Sequence, residues 1–326
     1  MKVLLTGAGG FVGPYFVEAI RRLYQDDLEI VATSKDPCDH PVLGSIILLD
    51  VTDPTAIDQI IAAQKPTHVV HLAGIAATTT ANADPEMTWR VHLHGTLDLA
   101  RSIMKRVPDC WLIHVGSGMV YGETAEAGRP LHENDLLAPL DEYSATKAAA
   151  DLALGALTKA GLKCIRMRPF NHFGPGQSEA FVVPAFAMQI ARIEAGLAPP
   201  VIRVGNLDVQ RDFLDVRDVA RAYALTVHAA GRLGAGTILN IASGVPRRIA
   251  DVLNGLVAKS RAAISIEQDP ARQRPNEIPS IVGDARRART LLHWQPEYTF
   301  DDTLMTAFDE CRARVAHRRW SAPAGQ

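Results

Sequence analysis

Residues 2–13 read KVLLTGAGGFVG. The run KVLLTG (2–7) is apolar and β-prone, and it passes directly into Gly7, Gly10 and Gly13 and then into a helical pattern over 11–24. Gly7 suits the tight turn, Gly10 lets backbone approach a pyrophosphate, and Gly13 lets helix and strand pack closely. The N–H groups at the start of the helix face the anion, with Phe11 and Val12 in the same turn. The spacing is GxxGxxG, not GxGxxG, so a glycine-rich corner without a ligand remains the bland alternative. Its place between a strand and a helix favours a dinucleotide site.

Working outward, the alternation continues. β-type runs fall at 28–33, 45–50, 68–74, 110–116 and 163–169, and helical patterns at 55–64, 89–107 and 143–160. Strands apolar on both faces and separated by helices imply a parallel sheet covered on both sides. The expected fold class is α/β: a Rossmann doubly wound parallel sheet with a smaller C-terminal α/β lobe that binds substrate. Beyond residue 170 the pattern loosens, with helices expected near 181–196, 216–230, 247–258 and 301–315 and a returning strand at 237–243. The expected boundaries are 1–170 plus about 213–243 for the dinucleotide-binding domain, and 171–212 with 244–326 for the lobe.

The net charge of -2 and 21% charged residues give no bulk attraction to nucleic acid or to an anionic membrane. No stretch approaches the ~18 apolar residues of a membrane span. Cys38, Cys110, Cys164 and Cys311 are scattered without metal-ligand spacing, so no metal is expected, and free thiols suit a cytoplasmic protein. His68, His71 and His114 lie in apolar strands and read as core or strand-edge residues. His92 and His94, two apart on a helix, point in different directions and form no ligand pair.

Cofactor choice is read at the end of the second strand, Thr33-Ser34-Lys35-Asp36. The hydroxyl and ammonium of Ser34 and Lys35 suit a ribose 2′-phosphate better than a carboxylate would, so NADP(H) is expected; Asp36 swinging in would allow NAD(H). Asp50 and Val51 are placed at the adenine edge. Leu72, Ala73 and Gly74 end the fourth strand and pass beneath the cofactor.

Tyr143 and Lys147, at i and i+4, share one helix face. An ammonium beside a phenol is expected to lower its pKa, fitting Tyr143 to pass a proton to or from a carbonyl or alcohol oxygen. Lys147 can also hold the nicotinamide ribose. Ser117, at the C-terminal edge of the strand 110–116, either caps a turn or bonds the same substrate oxygen.

Taken together, TGAGGFVG, HLAG, SGMVYG, YSATK, RPFNHFGPGQ and LHWQPEYTFDDTL make the chain resemble the extended short-chain dehydrogenase/reductase (NAD-dependent epimerase/dehydratase) family over nearly its whole length. FNHFGPGQ (170–177), VGNLDVQRDFLDVRD (204–218) and RQRPNEIPSIVGD (272–284) look most like the GDP-mannose branch, which contains GDP-mannose 4,6-dehydratases and GDP-6-deoxy-4-keto-D-mannose reductases. Dehydratases of the family carry acids before the Tyr-Gly, where this chain has Gly118 and Met119. The resemblance therefore implies reduction of the 4-keto group of a GDP-6-deoxy-4-keto-hexose, giving GDP-D-rhamnose. An NDP-sugar 4-epimerase or dehydratase with tightly bound NAD, or a non-catalytic nucleotide-binding module, are the alternatives.

Substrate residues expected are Met119, Asn171 and Val182, with Arg211 and Arg274 resembling the family's diphosphate clamp and Glu277 its ribose-binding residue. His92 stands where relatives commonly carry Asn in NxxGT. A homodimer through a four-helix bundle, built from 89–107 and 143–160, is also implied, although those apolar faces could equally be internal core.

Overall fold

The computed structural model describes residues 1–24, 27–37, 39–272 and 278–321. In chain order the first half runs β1 (Lys2–Thr6), α1 (Gly13–Tyr24), β2 (Glu29–Ser34), β3 (Asp39–His40), β4 (Gly44–Ser45), β5 (Ile47–Leu48), α2 (Pro54–Gln64), β6 (His68–His71), α3 (Thr78–Ala83), α4 (Pro85–Trp89), a π turn (Arg90–His94), α5 (Gly95–Arg106), β7 (Trp111–Val115), a 3₁₀ segment (Gly118–Ala127), α6 (Glu142–Lys159) and β8 (Cys164–Pro169). The second half runs β9 (Asn171–Phe173), α7 (Val182–Glu194), β10 (Val201–Val204), β11 (Gln210–Asp215), α8 (Val216–Leu233), β12 (Ile238–Ile241), β13 (Pro246–Arg248), α9 (Ile249–Val257), β14 (Ser265–Gln268), β15 (Ser280–Ile281), α10 (Arg286–Leu292) and α11 (Phe300–Ser321).

The central sheet has seven strands in the order β12-β8-β7-β6-β1-β2-β5, every pairing parallel. The chain thus steps outward from β1 to one edge and then returns past it to the other. That reversal leaves a crevice at the C-terminal ends of β1 and β6.

The sheet is apolar on both faces because helices cover both. Leu5, Val70, Ile113 and Ile165 pack with Phe16 of α1 and Val219 and Tyr223 of α8. Leu4, Val69, Leu112 and Cys164 pack with Ile57, Leu99 and Leu154 of the opposite helices. A separate core joins Phe173, Phe186, Ile190, Phe213, Leu253 and Phe308 in the second half. Ile278, Ala288 and Trp294 pack on the sheet's own core, and Trp294 Nε1 donates to the Asp218 carbonyl at 2.9 Å.

Local chemistry sets the helix starts. Asp53 caps α2 by accepting from Thr55 and Ala56 N–H, with Pro54 in the first turn. Asp141 and Ser144 form a reciprocal capping box on α6.

Two elements depart from the sequence reading. The run 45–50 gives only two-residue pieces, because β4 pairs with β3 in a small hairpin while β5 closes the sheet edge. The expected single helix over 89–107 contains the π turn at Arg90–His94, which periodicity does not register.

Candidate active site

The glycine turn is built for close approach. Gly7 has φ 69°, and a Cβ there would lie 2.6 Å from the Ala73 backbone. A Cβ on Gly13 would fall 1.9 Å from the Ala8 carbonyl oxygen. Only glycine therefore fits, and the 72–74 segment abuts the turn as the sequence implies. Leu72 N–H donates to the Thr6 carbonyl at 3.1 Å, fixing that segment beside β1. Gly10 N–H donates back to the Gly7 carbonyl at 3.0 Å. Phe11 stacks on His172 with centroids 6.2 Å apart, and Tyr15 donates to the Pro175 carbonyl at 2.7 Å, so the 171–177 segment lies against this turn.

A side chain at Gly9 would meet Ser34 Oγ at 3.4 Å, which sets Ser34 beside the glycine turn. Lys35 is exposed next to it. Asp50 is exposed, and its Oδ1 accepts from both the backbone and the hydroxyl of Thr52 at 2.8 Å. Val51 is buried, and Gly95 lets α5 approach its carbonyl. This cradle of small residues, with a hydroxyl and an ammonium at one end, fits a phosphorylated dinucleotide.

Ser117 follows β7 with extended backbone, and its Oγ accepts from Met119 N–H at 3.1 Å. It therefore caps the 3₁₀ segment. It also lies near enough to the Tyr143 phenol to pull its pKa down. Tyr143 stays partly open to the cleft, while Lys147 is 7% exposed.

The expected lowering of the phenol pKa does not hold. Burial raises the Tyr143 pKa, Ser117 offsets part of that, and Asp141 adds to the rise. Burial also brings Lys147 down to about 8. Tyr143 is thus a protonated acid through the neutral range.

Beneath this group lies a chain of neutral imidazoles. Burial and the nearby Lys147 lower His71 to about 3 and His92 to about 2. Thr6 Oγ1 lies 2.7 Å from His71 Nδ1, and Thr96 Oγ1 lies 3.0 Å from His71 Nε2. Thr96 donates to the His92 carbonyl, so its oxygen accepts from His71 Nε2–H and Thr6 donates to Nδ1. His71 and His114 are buried in the sheet, as expected of core residues.

The substrate candidates are placed unevenly. Met119 and Asn171 are half-buried, on the segments that follow Ser117 and β8, and Val182 opens α7. Arg211 Nη1 donates to the carbonyls of Gln210 and Ile278 at 2.7 and 2.9 Å, tying β11 to the 278 segment. Arg274 and Glu277 lie outside the described residues. Sequence reasoning missed the contact of Gly118 with Phe170, where a Cβ would sit 2.9 Å from the ring. It also missed the His92 and His172 contacts. For His92, the exchange of Asn for His was the available signal.

Known proteins resemble this chain along nearly its whole length. The family model for GDP-mannose 4,6-dehydratase matches residues 4–306. The GDP-6-deoxy-D-mannose reductase of Pseudomonas aeruginosa is 36% identical over 96% of this chain and 98% of its own. The solved structure of RMD from Pseudomonas aeruginosa complexed with NADPH has a TM-score of 0.83 at 30% identity, covering 96% of this chain and 99% of that one. The Thermus thermophilus UDP-glucose 4-epimerase complex with NAD reaches 0.82 at 26% identity, covering 96% and 99%. Matched over residues 4–306 and 36% identical to the Pseudomonas aeruginosa reductase, this chain belongs to the GDP-mannose 4,6-dehydratase family.

Proposed function

We propose that the protein is an NADPH-preferring reductase that converts GDP-4-dehydro-6-deoxy-D-mannose to GDP-D-rhamnose and also accepts NADH. The observation that carries this reading is Gly118 pressed against Phe170, beside Ser117, where the family's dehydratases hold an acid. Gly118 and Met119 cannot exchange protons, and an acid at 118 has no room. The similarity to the Pseudomonas reductase supports the same reading.

The glycine turn, Ser34 and Lys35 would hold the dinucleotide, with Lys147 at its ribose. When bound, the reduced nicotinamide supplies the hydride that goes to C4 of the sugar. Tyr143 gives its phenolic proton to the C4 oxygen, the product being an alcohol. Ser117 holds that oxygen in line through its hydroxyl. Asn171 and Arg211, with Arg274 and Glu277, are assigned to the nucleotide-sugar, and Met119 and Val182 to its apolar contacts.

We place residues 1–170 with about 213–243 as the cofactor domain and 171–212 with 244–326 as the substrate lobe, although its stretch 278–294 packs on the central sheet, the whole working in the cytoplasm. No described helix is long and apolar enough to cross a membrane. A homodimer through α5 and α6 is part of the proposal, supported by Leu152 at 61% exposure on α6.

The test offers GDP-, dTDP- and UDP-linked 4-keto-6-deoxy sugars with NADPH and follows absorbance and product. Stoichiometric oxidation with the GDP sugar, giving GDP-D-rhamnose, is expected. Turnover of GDP-mannose to its 4-keto product, or interconversion of sugars without reductant loss, would overturn the assignment.

A further inference from the structure

We infer that His92 is a positioning residue for this site: its ring is the spacer between the Gly74–Ile75 segment and the first turn of α6, and so fixes where Tyr143 and Lys147 stand. Four contacts carry this. Ile75 N–H donates to His92 Nε2 at 2.9 Å. His92 Nδ1 lies 2.8 Å from Thr146 Oγ1. Thr146 in turn donates to the Tyr143 carbonyl at 2.8 Å. The His92 ring meets the Tyr143 ring edge-to-face, centroids 5.7 Å apart.

These bonds also fix the tautomer. A backbone N–H can only donate, so Nε2 is bare and the proton sits on Nδ1, pointing at Thr146. The ring therefore accepts from one side of the cleft floor and donates to the other. It is 1% exposed. Lys147 Nζ and His92 Nε2 crowd the same spot, 3.1 and 3.3 Å from where a Cβ on Gly74 would lie.

His92 also sits in the middle of the π turn Arg90–His94, a distortion that recurs at functional sites. Thr96, four residues on, uses its hydroxyl to hold the His92 carbonyl at 2.6 Å. The backbone behind the ring is thereby pinned as well.

The kinetic test rests on the reductase reading; a second measurement does not. His92→Ala is expected to lower kcat by ~10- to 100-fold, the scale of a small misplacement of reacting groups, with the NADPH Kd and the sugar KM changed by less than about threefold. His92→Asn keeps a donor toward Thr146, and His92→Gln keeps an acceptor toward Ile75. Each should recover part of the lost kcat. Thr146→Val should lower kcat in the same way, and it decides the matter if His92→Ala does not fold. A kcat within about twofold of wild type in both His92→Ala and Thr146→Val would overturn the inference, as would a loss that only follows NADPH affinity and unfolding midpoint. Side-chain nitrogen NMR of the intact protein with NADPH should find His92 neutral with its proton on Nδ1. A proton on Nε2 would overturn the inference even if wild type proved inactive on the 4-keto sugar, an outcome that sinks only the reductase reading.

Discussion

Gly118 lies under Phe170 so closely that a Cβ would start 2.9 Å from the ring edge. Phe170 itself is held between Gly118 and Gly283, where a Cβ would be 2.5 Å from the same ring. The aromatic wedge therefore leaves no room for a side chain at position 118. Gly118→Asp should lose about 1–3 kcal/mol of stability through overpacking and gain no dehydration of GDP-mannose. Denaturant unfolding and product chromatography check both halves; a 4-keto product would mean that the wedge does not decide the reaction.

Tyr143→Phe removes the proton donor and leaves the cradle whole. A fall in kcat of ~10²- to 10⁴-fold is expected, with NADPH binding unchanged. Because burial raises the phenol pKa, the wild-type reduction rate should hold through neutral pH and decline only on the alkaline side of the ordinary tyrosine value. A pH–rate profile that already falls near neutrality would contradict the raised phenol.

Acid should unfold this protein early. His71, His92 and His114 are buried and neutral, with folded-state pKa values far below 6.5. The unfolded chain takes up protons near the ordinary histidine value while the folded one does not. Stability is thus complete above that value and drains as pH falls, by up to about 1.4 kcal/mol per pH unit for each histidine. Urea midpoints between pH 7 and 4 measure this. A flat profile would show that the imidazoles protonate without unfolding.

Lys35 stands exposed beside Ser34 at the end of β2. Lys35→Ala should raise the KM for NADPH by about tenfold or more, the lower scale of one charged hydrogen bond, and leave that for NADH unchanged. Equal effects on both dinucleotides would remove the 2′-phosphate role.

Much of this was legible in the chain itself. The glycine turn, the parallel sheet and the 143–147 pair follow from local rules: periodicity, close approach, and spacing on one helix face. The strand 45–50 was misjudged because its apolar run is shared between an edge strand and a hairpin. The sign of the Tyr143 shift was misjudged because burial depends on what surrounds the helix start, which spacing does not encode. The Gly118 and Phe170 contact joins residues 52 positions apart and rests on shape alone. His92 announced itself only as an unusual residue in a familiar place, since its partners Ile75 and Thr146 come from separate segments.

The widened turn at 90–94 also sets the phase of everything after it. Removing one residue there would restore an even spiral but rotate α5 by about 100°. Leu99, now inside, would swing out to the half-buried place of Asp98, and Arg101 would be driven into the buried place of Ala100. The irregularity thus serves as a rotational offset that lets one continuous rod present its histidine to the cleft and its aliphatic stripe to the core.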